Sequence, residues 1–303
     1  MARIVVTGAT GFIGRHAVSA LIRSGHEVHV LGRTKPDDGS AIFHRVDLME
    51  PEEVRACLDR LQASHLLHLA WYTEPGKFWT SSENLRWLAA SLALLEAFAR
   101  SGGRRAVIAG TCAEYDWASA DGRFDERRSP LSPSTLYGVA KDALRRVAFS
   151  FAKTAGISMA WGRIFFVYGP GEKPGRLVSD AIRSLCAGRE FATTAGTQMR
   201  DFIHAEDAGA AFAALTASTV EGEVNVASGQ AVTIRSILET IGAITGRADL
   251  LRLGALQSPR LEPPLIEGLS QRLNQEVGYK PRRTLEEGLR TTVAAYRDGN
   301  LKS

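Results

Sequence analysis

Short apolar runs rich in β-branched residues alternate with longer stretches whose apolar positions recur at helical spacing. The first half reads "RIVVTG", a helix over 12–24, "EVHVLG", "AIFHRV", a helix over 51–62, "HLLHLA", a helix over 81–100, "RRAVIAG", a helix over 134–154, and "ISMAWGRIFF". Strands and helices in this order predict βαβ units, hence an α/β fold with a doubly wound parallel sheet covered on both faces. From 166 onward the pattern loosens into "YGPGEKPG", a helix over 176–187, the proline-rich "QSPRLEPPL" and a last helix over 284–297. The expectation is a first domain over 1–165, rejoined by elements near 201–228, and a smaller lobe over 166–303.

In the helix over 81–100, Leu85, Trp87, Leu88, Leu92, Leu94, Leu95 and Phe98 spread round most of the circumference. A surface helix shows one apolar stripe, so two buried faces are expected. One face meets the sheet; the other meets a partner subunit or a second part of the same chain.

"VVTGATGFIGR" follows the first strand and opens the first helix. Gly8, Gly11 and Gly14, with Thr10, Phe12 and Ile13 between them, suit a turn where backbone approaches a pyrophosphate at a helix N-terminus. The spacing is G-x-x-G-x-x-G rather than the commoner G-x-G-x-x-G. An acid at the end of the second strand would bind the ribose hydroxyls of NAD, and an arginine suits the 2'-phosphate of NADP. This chain has Gly32 and Arg33 there, which favours NADP(H) and leaves NAD(H) possible. Arg15 either adds charge near that phosphate or is a solvated helix residue. Asp47 and Leu48 follow the third strand near the expected adenine, and Leu69 and Ala70 end "HLLHLA" beside the cofactor's path. His65 and His68 read equally well as core histidines or as functional ones.

"LYGVAK" places Tyr137 and Lys141 four apart, on one face of a helix. An ammonium beside a phenol favours the phenolate and makes the pair a proton donor able to work near neutral pH.

The bulk numbers exclude several classes. The 303 residues are 45% hydrophobic and 23% charged, as in ordinary globular proteins, and can bury a full core. The net charge of +4 is dispersed, with acids interleaved as in "DERRSP", so no footprint for nucleic acid is present. Cys57, Cys112 and Cys186 are odd in number and scattered, which argues against a disulfide framework and a metal site and favours a reducing cytoplasm. The chain opens directly on a strand, with neither a signal peptide nor an apolar run long enough for a membrane span.

With "TGATGFIG" and "YGVAK", the chain resembles the extended short-chain dehydrogenase/reductases, the epimerase/dehydratase family acting on nucleotide-linked sugars, on a Rossmann fold. "GTCAEY", "GRIFFVYGPGE", "RDFIHAEDAGAAF" and "NVASG" extend the likeness nearly end to end. The resemblance implies that Tyr137 exchanges a proton with the substrate, that Lys141 lowers its pKa and holds the nicotinamide ribose, and that Thr111 orients the substrate oxygen. It places Phe165 against the cofactor and Glu114, Phe166, Leu177, Val178, Arg200 and Arg260 against the substrate. It also implies a homodimer.

Departures narrow the reaction. Dehydratases of this family carry an Asp-Glu pair directly after the threonine, where this chain has Cys112 and Ala113; Glu114, one place later, does not substitute for it. Phe166 stands where many relatives have a sugar-binding asparagine, and the phosphate arginine is shifted to Arg260. Because reductases draw on NADPH and the family's epimerases mostly retain NAD, Arg33 favours a 4-keto-reductase over an epimerase. A non-catalytic cofactor-sensing protein is the reading from outside enzymology.

Overall fold

The computed structural model describes residues 1–36, 39, 41–118, 121–257 and 262–299. Arg260 therefore lies outside the described residues. The large sheet is built from β1 (Arg3–Thr7), β2 (Glu27–Gly32), β3 (Ile42–Arg45), β4 (His65–His68), β5 (Arg105–Thr111), β6 (Ser158–Ile164) and β7 (Gly222–Val226). Their order is β7-β6-β5-β4-β1-β2-β3, and every pairing is parallel. This is the doubly wound α/β fold that the alternation of strands and helices predicts.

Side chains alternate across a strand, so β1 sends Ile4 and Val6 to one face and Val5 to the other. Ile4 and Val6 meet α1 (Gly14–Arg23) and α6 (Ala205–Ala217) through Ala17, Leu21, Phe212 and Leu215. Val5 belongs to the opposite layer, with α2 (Pro51–Leu61), α3 (Glu83–Arg100) and α4 (Leu136–Ala155). α3 packs between α2 and α4, and Trp87, Leu88 and Leu92 join the same core. Most of its wide apolar surface is thus covered within the chain, while Leu85 stays 56% exposed. No helix among the described residues is long and apolar enough to cross a membrane.

A second sheet orders Ala231–Thr233, Met199–His204, Leu265–Gly268 and Arg123–Phe124, with Phe166–Tyr168 also paired to Met199–His204. Beside it α5 (Leu177–Cys186), α7 (Ile234–Thr245) and the helix Leu285–Arg297 enclose a separate apolar core around Ile182, Leu185, Ile237 and Leu289.

Arg105, 5% exposed at the start of β5, donates to the carbonyls of Thr216, Leu215 and Val220, the first two at the C-terminal end of α6. A guanidinium there satisfies carbonyls that the helix leaves open and meets the negative end of its dipole. α4 begins at Thr135, whose hydroxyl accepts the Gly138 amide at 3.1 Å, and ends at Gly156 with φ 69°. That left-handed residue is the usual stop for a helix. Leu144 on α4 is fully buried against the sheet. Leu144→Ala is expected to cost about 2–5 kcal/mol in urea unfolding, and a loss below 1 kcal/mol would show that α4 is held from elsewhere.

Candidate active site

The glycine loop closes backbone on backbone. Gly8 has φ 73°, and its carbonyl accepts the Gly11 amide at 3.0 Å. A Cβ on Gly14 would lie 2.0 Å from that same carbonyl, and one on Gly8 would lie 2.7 Å from the Ala70 nitrogen. Glycine is required at both positions, and the contact joins the loop to Leu69–Ala70 at the end of β4. No side chain caps α1, and its first turn holds no acid. Open amides and an uncompensated dipole favour an anion at this end. Thr10 and Gly11 are exposed above it, with Phe12 and Ile13 half-buried. These features fit a dinucleotide pyrophosphate.

Arg33 is exposed just past β2, and nothing lies within 4 Å of a Cβ placed on Gly32. Arg15 instead donates to the Pro170 carbonyl and lies over the Phe12 ring, so it braces the glycine loop against the 170–171 segment. Asp47 accepts the Met49 amide at 3.0 Å, and Leu48 is buried beside it. His68 lies 2.6 Å from the Thr7 hydroxyl and 2.8 Å from that of Ser91. Burial pushes its pKa down to about 3, so it is a neutral core histidine. His65 is half-buried against Ser64.

Thr111 ends β5 and Tyr137 and Lys141 lie on the first turns of α4, which packs over that end. The Thr111 side chain lies close enough to the Tyr137 phenol to favour its ionised form. Lys141 donates to the Ala109 carbonyl at 2.9 Å, and its Nζ lies 3.7 Å from the centroid of the Trp71 ring. Burial lowers its pKa to about 7, partly opposed by the charge of Glu114. Burial also raises the pKa of Tyr137, and the Thr111 side chain works the other way. The Lys141 ammonium faces a carbonyl and a ring, and desolvation dominates the phenol.

The other expected residues have partners within the protein. Glu114 is fully buried, and its carboxylate accepts the Thr111 amide at 2.9 Å, Trp161 Nε1 at 3.0 Å and Arg163 Nε at 2.8 Å. The Phe165 side chain packs with Tyr115, Phe124 and Ile266. Val178 is 1% exposed in the apolar core beside the second sheet, with Leu177 half-buried beside it. Arg200 is buried and donates to the Met199 and Pro263 carbonyls and to Glu262 at 2.9 Å, next to the Phe166 ring.

Sequence reasoning missed the aromatic wall. Phe78 and Trp79 meet the Tyr137 ring edge-on at 4.9 and 5.8 Å, and Trp117 flanks Trp79. The available signal was the density of aromatic residues in "WYTEPGKFWT". This segment also grips the loop before α5: Lys173 lies 3.5 Å from Glu74, Arg176 lies over Phe78 at 5.0 Å, and a Cβ on Gly175 would touch Pro75. Among the described residues no cluster of His, Cys, Asp or Glu is built to hold a metal ion.

Gly14→Ala should abolish measurable dinucleotide binding in calorimetry, since its methyl displaces the loop; retained affinity would place the anion elsewhere. If the charged form of Lys141 is the working one, kcat/KM should fall above about pH 7 as the ammonium is lost, and Lys141→Arg should move that limb to higher pH. A pH-rate profile with no such limb would remove the lysine's charge from the mechanism.

The model of the NAD dependent epimerase/dehydratase family matches residues 4–227. The GDP-6-deoxy-D-mannose reductase of Pseudomonas aeruginosa is 26% identical over 311 residues, covering 96% of each chain. The UDP-glucose 4-epimerase of Neisseria meningitidis serogroup C is 27% identical, covering 81% of this chain and 83% of its own. Among solved structures, the UDP-glucose 4-epimerase of Thermus thermophilus in complex with NAD aligns with a TM-score of 0.85 at 26% identity, covering 97% of this chain and 99% of its own. MoeE5 in complex with UDP-glucuronic acid and NAD aligns with a TM-score of 0.84 at 31% identity, covering 98% and 99%. Matched over most of its length and alike in fold throughout, the chain belongs to the NAD dependent epimerase/dehydratase family, whose members among these relatives are nucleotide-sugar epimerases and reductases.

Proposed function

We propose that this enzyme reduces the 4-keto group of a nucleotide-activated deoxysugar with NADPH. The observation that carries the reading is Arg33, exposed past β2 beside the open surface at Gly32, where a carboxylate would otherwise engage the ribose hydroxyls of NAD. Gly8, Gly11 and the α1 amides would hold the pyrophosphate, and Lys141 the nicotinamide ribose. When bound, NADPH supplies the hydride. Tyr137 keeps its proton at neutral pH because burial disfavours the phenolate, and so has one to give to the alkoxide that forms on the sugar. The Thr111 hydroxyl accepts the Ala113 amide at 3.2 Å, so its single proton is what it has to offer, to the Tyr137 phenol or, with substrate bound, to that oxygen. Cys112 and Ala113 supply no acid-base pair for eliminating water, which supports reduction over dehydration.

The epimerase reading has its own support: UDP-glucose 4-epimerases are among the relatives, and the solved neighbours named above hold NAD. A homodimer through α3 and α4 is also proposed, supported by the exposed Leu85, Val139 and Val147 on these helices. A cytoplasmic, nucleotide-sugar role fits both readings.

The cofactor test compares NADPH and NADH. NADPH should bind more tightly, and Arg33→Ala should erase most of the difference, since a charge-assisted contact contributes about 1.5–3 kcal/mol. Equal affinities in the unmodified protein would sink the NADP assignment. Tyr137→Phe should lower turnover of a nucleotide-4-keto-6-deoxyhexose by about 10² to 10⁴ while NADPH affinity holds. Full activity in that variant would overturn the proton-donor role, and turnover without net NADPH consumption would hand the reaction to the epimerase.

A further inference from the structure

Behind Thr111 lies a chain of charged side chains, buried at one end and partly exposed at the other, that the proposed reaction itself does not use. Glu114 and Arg163 are both fully buried and meet at 2.8 Å. From Arg163 the chain continues to Glu223 at 3.7 Å, from Glu223 to Arg145 at 2.6 Å, and from Arg145 to Asp142 at 2.8 Å. Arg145 also comes within 4.0 Å of Glu114 directly. Arg145 follows Lys141 by four positions and Tyr137 by eight, so all three lie along one face of α4. At the other end, Glu114 accepts the Thr111 backbone amide while the Thr111 hydroxyl accepts that of Ala113. The fold makes room for this: a Cβ on Gly110 would lie 1.9 Å from Trp161 Nε1 and 2.7 Å from Glu114 Oε1.

A buried ion pair is seldom more stable than apolar residues of the same shape, because desolvating both charges offsets their attraction. Among the described residues Arg163 Nη2 is buried without a hydrogen-bond partner, which adds to the cost. What the pair does supply is geometry. It joins the strand terminus bearing Thr111 to β6, and through Glu223 and Arg145 the chain reaches the helix bearing Tyr137.

We propose that Glu114 is a positioning residue: its carboxylate ties the Thr111 amide to Arg163 and, through Glu223 and Arg145, to the α4 face carrying Tyr137 and Lys141, and so fixes the Thr111 hydroxyl against the Tyr137 phenol. The inference rests on the reading of Thr111 and Tyr137 as the pair that handles the substrate oxygen.

Two variants test it. Glu114→Gln keeps an oxygen for the Thr111 amide but removes the charge that holds Arg163. Arg145→Met cuts the link at the helix and leaves the Glu114–Arg163 pair whole, so it serves if the first variant folds poorly. Hydrogen exchange followed by mass spectrometry needs no substrate: peptides spanning 108–115 should exchange roughly 10-fold faster in Arg145→Met. Unchanged exchange there would break the proposed link. With NADPH and UDP-, dTDP- and GDP-4-keto-6-deoxyhexoses, Glu114→Gln should lower kcat about 10- to 100-fold at unchanged KM for NADPH, as misplacement of a reacting group does. In a Thr111→Val background the same substitution should change kcat less than about twofold, because groups that act through one another are not additive. An additive loss, or a parallel loss of NADPH affinity, would make Glu114 merely structural. Should Tyr137→Phe stay fully active, the catalytic reading fails and the exchange experiment alone decides the linkage. Should Tyr137→Phe be inactive while Glu114→Gln keeps its kcat, only the positioning role fails.

Discussion

The approach of Gly14 to the carbonyl of Gly8 is the constraint on which the amino-terminal half depends. No side chain fits between them, so the turn packs main chain on main chain and α1 starts directly over the end of β1. A second such approach lies further along the helix, where a Cβ on Gly209 would come within 2.5 Å of His16 and 2.7 Å of the Ala17 nitrogen, seating α6 against α1. Arg105 then fastens the far end of α6 to β5, the strand that ends in Thr111. The N-terminal end of α1 and β5 are therefore linked through close backbone packing of α1 on α6 and the buried Arg105 side chain. Their arrangement is set by the fold before any ligand arrives, which lowers the ordering cost of binding.

The elements were legible because apolar spacing is a local property. α3 and α4 run Glu83–Arg100 and Leu136–Ala155, against the expected 81–100 and 134–154. The parallel sheet followed from strands separated by helices. The partners of charged residues were not legible. Glu114 meets Arg163 from 49 positions away and Arg200 meets Glu262 from 62, and no periodicity marks such pairs. Family likeness placed Glu114 and Arg200 against a substrate, yet each found its counter-charge inside the protein. Tyr137 and Lys141 were legible as neighbours on a helix, but the state of each group depends on burial, which spacing does not encode. Arg260 lies outside the described residues, and its role rests on resemblance alone.

Lys141 sets stability and chemistry in opposition. Its ammonium is desolvated, and its named partners are a carbonyl and the face of Trp71, which compensate less than a carboxylate at contact would. Its folded pKa of about 7 lies below the ordinary lysine value of 10.5, so between those values the unfolded chain binds the extra proton. Stability from this group therefore rises with pH across that window and is lowest where the lysine is charged in both states. The form that suits a cofactor ribose is the one the fold tolerates least. Functional sites commonly carry such local costs.

The grip between the aromatic segment and the loop before α5 bears on how the site is entered. Tyr137 is only 9% exposed beneath Phe78 and Trp79, and Glu74 and Lys173 close the rim. Those two side chains are 45% and 70% exposed, and solvated ion pairs of that kind contribute about 0–1 kcal/mol and weaken with salt. Electrolyte therefore loosens only the outermost of the contacts between the two segments, while Arg176 over Phe78 and Gly175 against Pro75 hold beneath it.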